Sequence, residues 1–289
     1  MLYNEKQNLL VCPVCKNELE LMPKEKTYQC MNNHNFDIAK QGYVNLLINN
    51  QKKSKLPGDS KEMVQARASF LSKGYYDALS NKINECVIKQ LGNMKSNFYN
   101  ILDVGCGNGY YTNQLMKSTQ ERNIPAYYFG LDISKNAVKC ASASNKFITW
   151  MVANSFYLPF KEDSFHCILS VFSPVKIAEC TRIMKNNGIF IRVLPGIDHL
   201  IQIRDIIYDT VILNEDTNPV DAYEGLKLID MSKVCFDIAV EKEDILSLVQ
   251  MTPHYWKTSQ LNKEPLKEVR LLTVTIDMQI LIYENTPFI

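Results

Sequence analysis

The sequence predicts an α/β protein: a doubly wound, mostly parallel, Rossmann-like sheet of seven strands, preceded by a small zinc-ribbon-like module. Three observations predict it. Short apolar runs alternate with helical segments from about residue 99 onward, which is typical of a parallel sheet covered by helices on both faces. A glycine-rich loop follows the first apolar run, and four Cys and His residues with metal-ligand spacing lie near the N-terminus.

The composition is that of an ordinary globular protein. The chain has 289 residues, of which 46% are hydrophobic and 22% charged, enough for one large domain and a small appendage. We find no apolar run long enough to span a membrane and no secretion signal, so we expect a cytoplasmic protein. The net charge of +1 argues against a strongly basic nucleic-acid binder but permits a local basic patch, for example at residues 51–57.

Residues 1–48 are predicted to form a zinc-binding module. Its ligands would be Cys12, Cys15, Cys30 and His34, arranged as Cys-x2-Cys, fourteen residues, then Cys-x3-His. This layout is typical of structural zinc, and four protein ligands leave no open position on the metal for catalysis. A redox pair or a coincidental set of residues are the alternatives, and no thioredoxin-type strand-helix unit precedes the first pair.

Residues 49–98 are predicted to be a linker and two helices leading into the main domain. The stretch 49–60 is polar and rich in turn formers, as expected for a linker. Asp59 or Ser60 could cap a first helix that ends before Gly74, and a second helix is expected over about 77–91.

Residues 99–289 are predicted to form the main domain, in which strands and helices alternate. We expect strands at 100–104, 126–132, 148–153, 166–172 and 189–194, and helices at 111–119, 135–144 and 176–184. Two later strands, near 234–238 and 271–282, would complete the sheet at one edge, with a helix over 239–251 between them.

The glycine-rich loop predicts a nucleoside-containing cofactor. Gly105, Gly107 and Gly109 alternate with other residues after the first strand, so a ligand can approach the backbone closely. Dinucleotide sites require G-x-G-x-x-G, but Tyr110 stands at the position of the last glycine. Asp132, at the end of the next strand, would accept hydrogen bonds from both ribose hydroxyls. A tight turn without a ligand is the alternative.

An acidic residue two positions before the first glycine, here Asp103, is expected where the ligand is a cationic sulfonium rather than a pyrophosphate. A second loop, 153–166, contains a Leu-Pro-Phe element preceded by Asn154. The glycine loop resembles motif I of class I S-adenosylmethionine-dependent methyltransferases, and the second loop resembles their adenine-side loop, where an Asp usually stands in place of Asn154. The resemblance implies S-adenosylmethionine as cofactor.

The motifs of two kinds of base methylation are missing. After the fourth strand the chain reads Val171-Phe-Ser-Pro-Val-Lys176, which does not match the Asn/Asp-Pro-Pro-aromatic element of adenine amino methylation. Carbon-5 methylation of pyrimidines requires a cysteine nucleophile, but Cys167 and Cys180 fit buried core residues better. Direct transfer to a nitrogen or oxygen remains.

A family resemblance extends over nearly the whole chain. It is carried, in order, by Cys-Pro-x-Cys, Cys-x3-His-x-Phe-Asp-x-Ala-Lys-x-Gly-Tyr-Val-Asn-Leu-Leu, Pro-Gly-Asp-Ser-x-Glu-Met at 57–63, Gln-Ala-Arg at 65–67, motif I, and Met-Thr-Pro at 251–253 followed by Trp256. These elements resemble the 23S ribosomal RNA guanine-N1 methyltransferase family (RlmA/RrmA type). The chain departs from it at 185–188, where Lys-Asn-Asn-Gly replaces Lys-Pro-Gly-Gly.

The resemblance implies the substrate, partners and several site residues. The substrate would be a guanosine in a stem-loop of 23S ribosomal RNA, held with help from the zinc module. Homodimers and, in some relatives, altered macrolide sensitivity are also implied. The cofactor contacts carried over are Tyr76, Gly109, Tyr110 and His199.

The target base must be exposed before its N1 can be methylated, and exposed bases commonly stack on aromatic side chains. His254, Tyr255 and Trp256 are the candidate platform for substrate binding, although they could instead pack the end of a helix. The base that removes the N1 proton is not identified: Asp, Glu or His could serve. A small-molecule methyltransferase and a non-catalytic RNA-binding relative remain the alternative functions.

Overall fold

The computed structural model describes residues 8–52, 54, 57–208, 222–252, 255 and 258–286. Over these residues the chain forms a three-stranded sheet near the N-terminus and a nine-stranded sheet. The small sheet is antiparallel and consists of β1 (Leu19–Met22), β2 (Thr27–Cys30) and β3 (Asn35–Asp37). None of the helices in the described part of the chain has the length and apolarity needed to cross a bilayer.

The remaining elements build the large sheet and its covering helices. Up to the middle of the sheet they are β4 (Tyr43–Asn45), a 3-10 turn (Asn49–Gln51), α1 (Lys61–Leu71), α2 (Asp77–Gly92), β5 (Tyr99–Val104), α3 (Tyr110–Glu121), β6 (Ala126–Asp132), α4 (Lys135–Ser144) and β7 (Thr149–Val152). They continue with β8 (Phe165–Val171), α5 (Ile177–Ile183), β9 (Met184–Pro195), α6 (Ile201–Ile207), β10 (Ala222–Tyr223), β11 (Leu226–Glu241), α7 (Lys242–Gln250), α8 (Gln260–Glu268) and β12 (Leu271–Asn285).

The large sheet has the order β10-β11-β12-β9-β8-β5-β6-β7-β4. The strands from β9 to β4 are parallel, while β12, β11 and β10 are antiparallel to their neighbours. The predicted doubly wound, mostly parallel sheet is confirmed. It contains the seven expected strands and two more, β4 and β10, one at each edge. The strand order reverses between β5 and β8, where open α/β sheets bind their ligands.

Several predicted element boundaries differ from the structure, most of all at the strand predicted near 234–238, which is Leu226–Glu241. The strand predicted to begin at 189 begins at Met184 as β9, directly after α5. The predicted helix 239–251 begins only at Lys242, because residues 239–241 still pair with β12, for example Val240 with Leu272. Cross-strand pairing overrides local helix preference at that point. The strand predicted over 271–282 extends to Asn285.

The helix cap predicted before α1 is at Ser60. Its side chain accepts a hydrogen bond from the Met63 N–H at 3.2 Å, which satisfies one of the free donors of the first turn. This cap fixes where α1 starts, and Asp59 therefore lies immediately outside the helix.

The zinc module is joined to the main domain through backbone bonds and a shared core. The Val11 N–H donates to the Pro159 carbonyl at 3.0 Å, and the Lys161 N–H donates to the Leu9 carbonyl at 2.9 Å. Leu10 and Leu46 belong to the same buried cluster as Phe160 of the main domain. Because β4 pairs with β7, part of residues 1–48 lies in the large sheet.

Candidate metal centre and active site

The four predicted metal ligands lie together. The ligand atoms of Cys12, Cys15, Cys30 and His34 are all within 4.8 Å of one another. Cys15 Sγ is 3.7 Å from Cys30 Sγ, and His34 Nδ1 is 3.6 Å from Cys12 Sγ and 3.4 Å from Cys30 Sγ. A tetrahedral zinc ion with ordinary Zn–S and Zn–N bonds has ligand separations of roughly 3.4–3.8 Å. The residues therefore fit a structural zinc ion held through His34 Nδ1.

The electrostatic setting also suits a thiolate ligand. The pKa of the Cys15 thiol is lowered to about 6, mainly by a hydrogen bond from the Asn17 backbone. Metal binding requires deprotonated cysteine, so this thiol is prepared to bind the ion at neutral pH.

The glycine loop adopts the backbone geometry that the sequence predicted. Gly105, Gly107 and Gly109 have φ values of 79°, 54° and 81°, in the left-handed region that favours glycine. The Gly107 N–H donates to Asp132 Oδ2 at 3.0 Å, and the Ser134 N–H donates to Asp132 Oδ1 at 2.7 Å. The Asp132 carboxylate therefore holds the loop and the following turn in place, at the carboxyl ends of β5 and β6.

Replacing Gly105 with alanine is expected to damage this loop. A Cβ there would lie 1.9 Å from Ser173 Oγ, and the φ of 79° is unfavourable for any residue with a side chain. We expect the free energy of unfolding to fall by about 1–3 kcal/mol from the backbone conformation alone, together with loss of cofactor binding. Urea denaturation of the variant measures the first effect and calorimetry the second.

Gly92→Ala is the matched control for this prediction. Gly92 ends α2, and a Cβ there meets nothing within 4 Å. The control should be neutral or more stable by roughly 0.5–1 kcal/mol. Equal stability of Gly105→Ala and wild type would show that the loop can rearrange.

Asp103 is buried behind the glycine loop. It is 2% exposed, and Thr112 Oγ1 donates to its Oδ2. Among the described residues, no donor reaches Asp103 Oδ1. Burial raises the pKa of this carboxyl to about 7, with a further contribution from nearby Asp132, against the lowering effect of the Thr112 bond. The fold thus keeps a poorly solvated acid next to the loop.

A cavity of about 490 Å³ opens in front of the glycine loop. This volume is within the range of small-molecule sites. Its lining includes Gly105, Gly107, Asp132 and Asn154. The Asn154 side chain is also bonded to protein, since its Nδ2 donates to the Gln51 carbonyl at 3.0 Å and its Oδ1 accepts from the Phe156 N–H at 2.9 Å. Asn154 therefore links two segments of the cavity wall, at Gln51 and at Phe156.

One wall of this cavity comes from the stretch that was predicted to be a linker. Pro57, Gly58 and Asp59 line it, and Ser134 Oγ donates to the Asp59 carbonyl at 2.7 Å. A Cβ on Gly58 would lie 2.8 Å from Ser134, so only glycine allows this close approach. Residue-based reasoning missed these positions, although the Pro-Gly-Asp-Ser element had marked them as part of the family resemblance.

A second cavity, of about 500 Å³, adjoins the first. Tyr76, Phe172, Arg192 and His199 are among the residues that line it. The rings of Phe172 and His199 are nearly parallel, with an interplanar angle of 9° and centroids 6.5 Å apart. Two residues implied as cofactor contacts, Tyr76 and His199, thus lie in this neighbouring cavity.

Two other implied cofactor contacts do not line either cavity. A Cβ on Gly109 would lie 2.7 Å from the Trp150 ring, so this glycine allows close packing behind the loop. The Tyr110 hydroxyl donates to Asp77 Oδ1 at 2.6 Å and thereby joins α3 to α2. Both residues lie at the start of α3, directly after Asn108, which lines the first cavity.

The predicted substrate platform is only partly described. His254 and Trp256 lie outside the described residues. Tyr255 is half-buried, packs against the main core, and has Lys263 Nζ 4.2 Å from its ring centroid. The packing alternative therefore accounts for the Tyr255 contacts that are seen.

Comparisons with known proteins find one family profile that covers the metal centre and another that covers the glycine loop. The family profile described as "RlmA, N-terminal", a zinc ribbon, matches residues 10–55, and the profile described as "Methyltransferase domain" matches residues 102–192. The 23S rRNA (guanine(748)-N(1))-methyltransferase of Streptomyces fradiae is 31% identical over 199 residues, covering 68% of this chain and 67% of the relative.

Two further relatives match over more of the chain. YxjB of Bacillus subtilis (strain 168), provisionally named a 23S rRNA (guanine-N(1)-)-methyltransferase, is 28% identical over 282 residues, covering 94% of this chain and 95% of the relative. A protein of Micromonospora griseorubida with the same provisional name is 25% identical over 272 residues, covering 86% and 87%.

The fold, the glycine loop with Asp132 and the metal centre together define an S-adenosylmethionine-dependent methyltransferase with an N-terminal zinc ribbon. The three relatives described above identify the family within this class. The chain belongs to the 23S rRNA (guanine-N1)-methyltransferase family.

Proposed function

We propose that this protein methylates N1 of a guanosine in a stem-loop of 23S ribosomal RNA. The observation that carries the proposal is the pair of adjoining cavities at the carboxyl ends of the strands. One has the features of a methyl-donor site, and the other is a separate space next to it for a methyl acceptor. The names of the relatives supply the identity of that acceptor.

The first cavity fits the cofactor. Gly105 and Gly107 keep the loop free of side chains, and each Asp132 oxygen, already holding one backbone N–H, has a further lone pair for a ribose hydroxyl. Burial raises the pKa of the Asp103 carboxyl behind the loop to about 7, so it is partly ionised at neutral pH, and its ionised form favours a cationic ligand. When bound, S-adenosylmethionine supplies an electrophilic methyl group. The protein's task is to position the acceptor nitrogen in line with that group.

We assign the zinc ribbon to RNA binding. The two metal-binding turns expose apolar side chains, Val14 (53%) and Met31 (81%), and Lys16, Lys24 and Lys26 are exposed on the same module. Exposed lysines contribute to phosphate contacts, and exposed apolar groups pack against bases. A cytoplasmic location and a homodimer remain predictions of the proposal, as does an effect on macrolide sensitivity.

The test is to map N1-methylguanosine in 23S rRNA from cells with and without the protein, by mass spectrometry of RNA fragments. We expect one guanosine in a stem-loop to lose its methyl group on deletion. The purified protein should restore it when it is supplied with S-adenosylmethionine. If every N1-methylguanosine persists, and only a small molecule accepts the methyl group, the RNA assignment is wrong.

Replacing Asp132 with asparagine is expected to weaken cofactor binding by about 10- to 100-fold. The variant keeps one acceptor oxygen and replaces the other with an NH2 group, and a hydrogen bond to a charged group contributes about 1.5–3 kcal/mol. Calorimetric titration with S-adenosylhomocysteine measures the change. Bound zinc should stay the same, because Asp132 is not among the clustered metal ligands.

Asp205→Asn is the control, since Asp205 is an exposed residue of α6 and lines neither cavity. It should bind the cofactor as wild type does. An Asp132→Asn variant with wild-type affinity would mean that the ribose lies elsewhere in the cavity.

A further inference from the structure

We propose that Asp59 is the catalytic base, which accepts the N1 proton of a guanine held in the second cavity. The inference rests on the proposed function, because it takes guanosine N1 as the methyl acceptor. The first observation that supports this role is the position of Asp59. Asp59 lines both cavities, together with Arg67, Tyr111 and Phe172. The methyl group has to cross from one cavity to the other at this shared wall.

The reaction requires a base at this place. Guanine N1 carries a proton at neutral pH, so its N–H bond has to break while the electron pair stays on nitrogen. The proton moves to the Asp59 carboxylate as N1 forms a bond to the methyl carbon. The carbon–sulfur bond breaks, and its electron pair passes to sulfur. Asp59 then releases the proton to water, which leaves a methylated base, a neutral thioether and one proton.

The other ionisable groups of the second cavity are less suited to this role. Among the described residues that line it, Asp59 is the sole carboxylate. Arg67 and Arg192 stay protonated in proteins. Burial raises the pKa of the Tyr76 and Tyr111 hydroxyls, so they remain neutral acids. His199 lines the second cavity but not the first, whereas Asp59 lies in the wall that the two cavities share.

Three contacts fix Asp59 in position. Arg67 Nη1 forms an ion pair with Asp59 Oδ2, and Arg67 Nη2 donates to the Met251 carbonyl at 2.9 Å. On the other side, Ser134 Oγ donates to the Asp59 carbonyl at 2.7 Å. Among the described residues no donor is bonded to Asp59 Oδ1, and the side chain is 27% exposed. Oδ2 is therefore held by Arg67, and the residue lies in the wall of both cavities.

The second cavity also offers a surface for a planar base. Phe172 is 42% exposed and has a φ of 56°, a strained conformation for a bulky residue. Its aromatic ring lies in the shared wall, nearly parallel to that of His199. A guanine stacked on Phe172 would share the second cavity with Asp59. Phe172 is thus a positioning residue in this arrangement.

The test compares Asp59→Asn with wild type. The substrate is 23S rRNA purified from cells that lack the protein, and the single-turnover rate of N1-methylguanosine formation is measured from pH 6 to about pH 9.5. We expect a loss of about 10²- to 10⁴-fold near neutral pH. The variant's rate should then rise steeply toward high pH, where N1 loses its proton without help.

Binding measurements separate catalysis from structure. The dissociation constants for S-adenosylhomocysteine and for the same RNA should change less than about threefold in Asp59→Asn, as should those of the control Glu62→Gln. Glu62 is an exposed residue of α1 that lines neither cavity, and its variant should keep the wild-type rate.

The outcomes distinguish this inference from the proposed function. If wild-type protein forms no N1-methylguanosine, the proposed function itself fails. If wild type is active and Asp59→Asn keeps its rate, Asp59 is not the base. A rate loss without recovery at high pH, or one matched by weaker cofactor or RNA binding, would likewise overturn the catalytic role.

Discussion

A Cys30→Ser variant is expected to lose its zinc and, as a consequence, to bind the cofactor less tightly. Cys30 is buried and belongs to the four-ligand cluster. Structural zinc contributes about 10–16 kcal/mol to the folding of zinc-finger peptides, so loss of one ligand should unfold the ribbon. Cofactor binding would be unaffected if the ribbon and the main domain were independent modules.

In the structure the ribbon and the main domain are joined. The ribbon leads through β4 into the stretch that lines the cofactor cavity, and the Leu46 N–H donates to the Val152 carbonyl at 2.9 Å. When the ribbon unfolds, Gln51 and residues 57–59, which line the cavity, lose their anchor on one side. We expect the dissociation constant for S-adenosylhomocysteine to rise about tenfold, equivalent to about 1.4 kcal/mol.

Metal analysis and calorimetry on the same preparation test both effects. Cys235→Ser is the control, because Cys235 is an exposed residue of β11 outside the ligand cluster; it should retain zinc and cofactor affinity. Wild-type cofactor affinity in folded, zinc-free Cys30→Ser would show that Gln51 and residues 57–59 keep their place without the ribbon.

An Asp103→Asn variant is expected to lack the loss of stability that ionisation of this buried carboxyl causes in wild type as the pH rises. The pKa of Asp103 is about 7 in the folded protein, raised mainly by burial, against 3.8 without the fold. Between pH 3.8 and about 7, the Asp103 carboxyl is ionised in the unfolded chain and protonated in the folded chain. Stability contributed by Asp103 is therefore fully present below pH 3.8 and is lost as the pH rises to about 7.

The expected size follows from linkage. Each pH unit in this window changes the free energy of unfolding by about 1.4 kcal/mol, for a total of about 4 kcal/mol. The difference in free energy of unfolding between the ligand-free variant and wild type should shift by about 3 kcal/mol in favour of the variant from pH 5 to pH 8. Urea denaturation at the two pH values gives this difference.

The control for Asp103 is again Asp205→Asn, whose side chain is exposed. Its stability relative to wild type should be the same at pH 5 and pH 8. A constant difference between Asp103→Asn and wild type at both pH values would mean that Asp103 keeps an ordinary acidity inside the fold.

Much of the cofactor site could be predicted because its geometry is local. Gly105 and Gly107 adopt left-handed backbone within one turn, and the alternation of strands and helices brings Asp132 to the same edge of the sheet. The zinc ligands were predicted for the same reason, since each pair of ligands lies on one short turn. Here spacing along the chain directly implies proximity in space.

The failures lie where contacts join distant parts of the chain. Residues 57–59 have the composition of a linker, yet they pack on Ser134 and close the cavity. Gly109 and Tyr110 in motif I remain predicted cofactor contacts; their neighbours in the structure are Trp150 and Asp77, which the spacing did not indicate. Spacing does not reveal which side of a loop faces the ligand, because that depends on the neighbours it packs against.

By itself the sequence determined the sheet class, the zinc ligands and the cofactor loop. Each of these depends on residue type and short spacing, which fix backbone conformation and ligand chemistry within a few residues. The tertiary structure decided that the ribbon shares a core and a sheet with the main domain, and that Asp59, Arg67 and Phe172 meet between two cavities. Those contacts join residues far apart in the chain, and burial and strand pairing, which no local pattern encodes, bring them together.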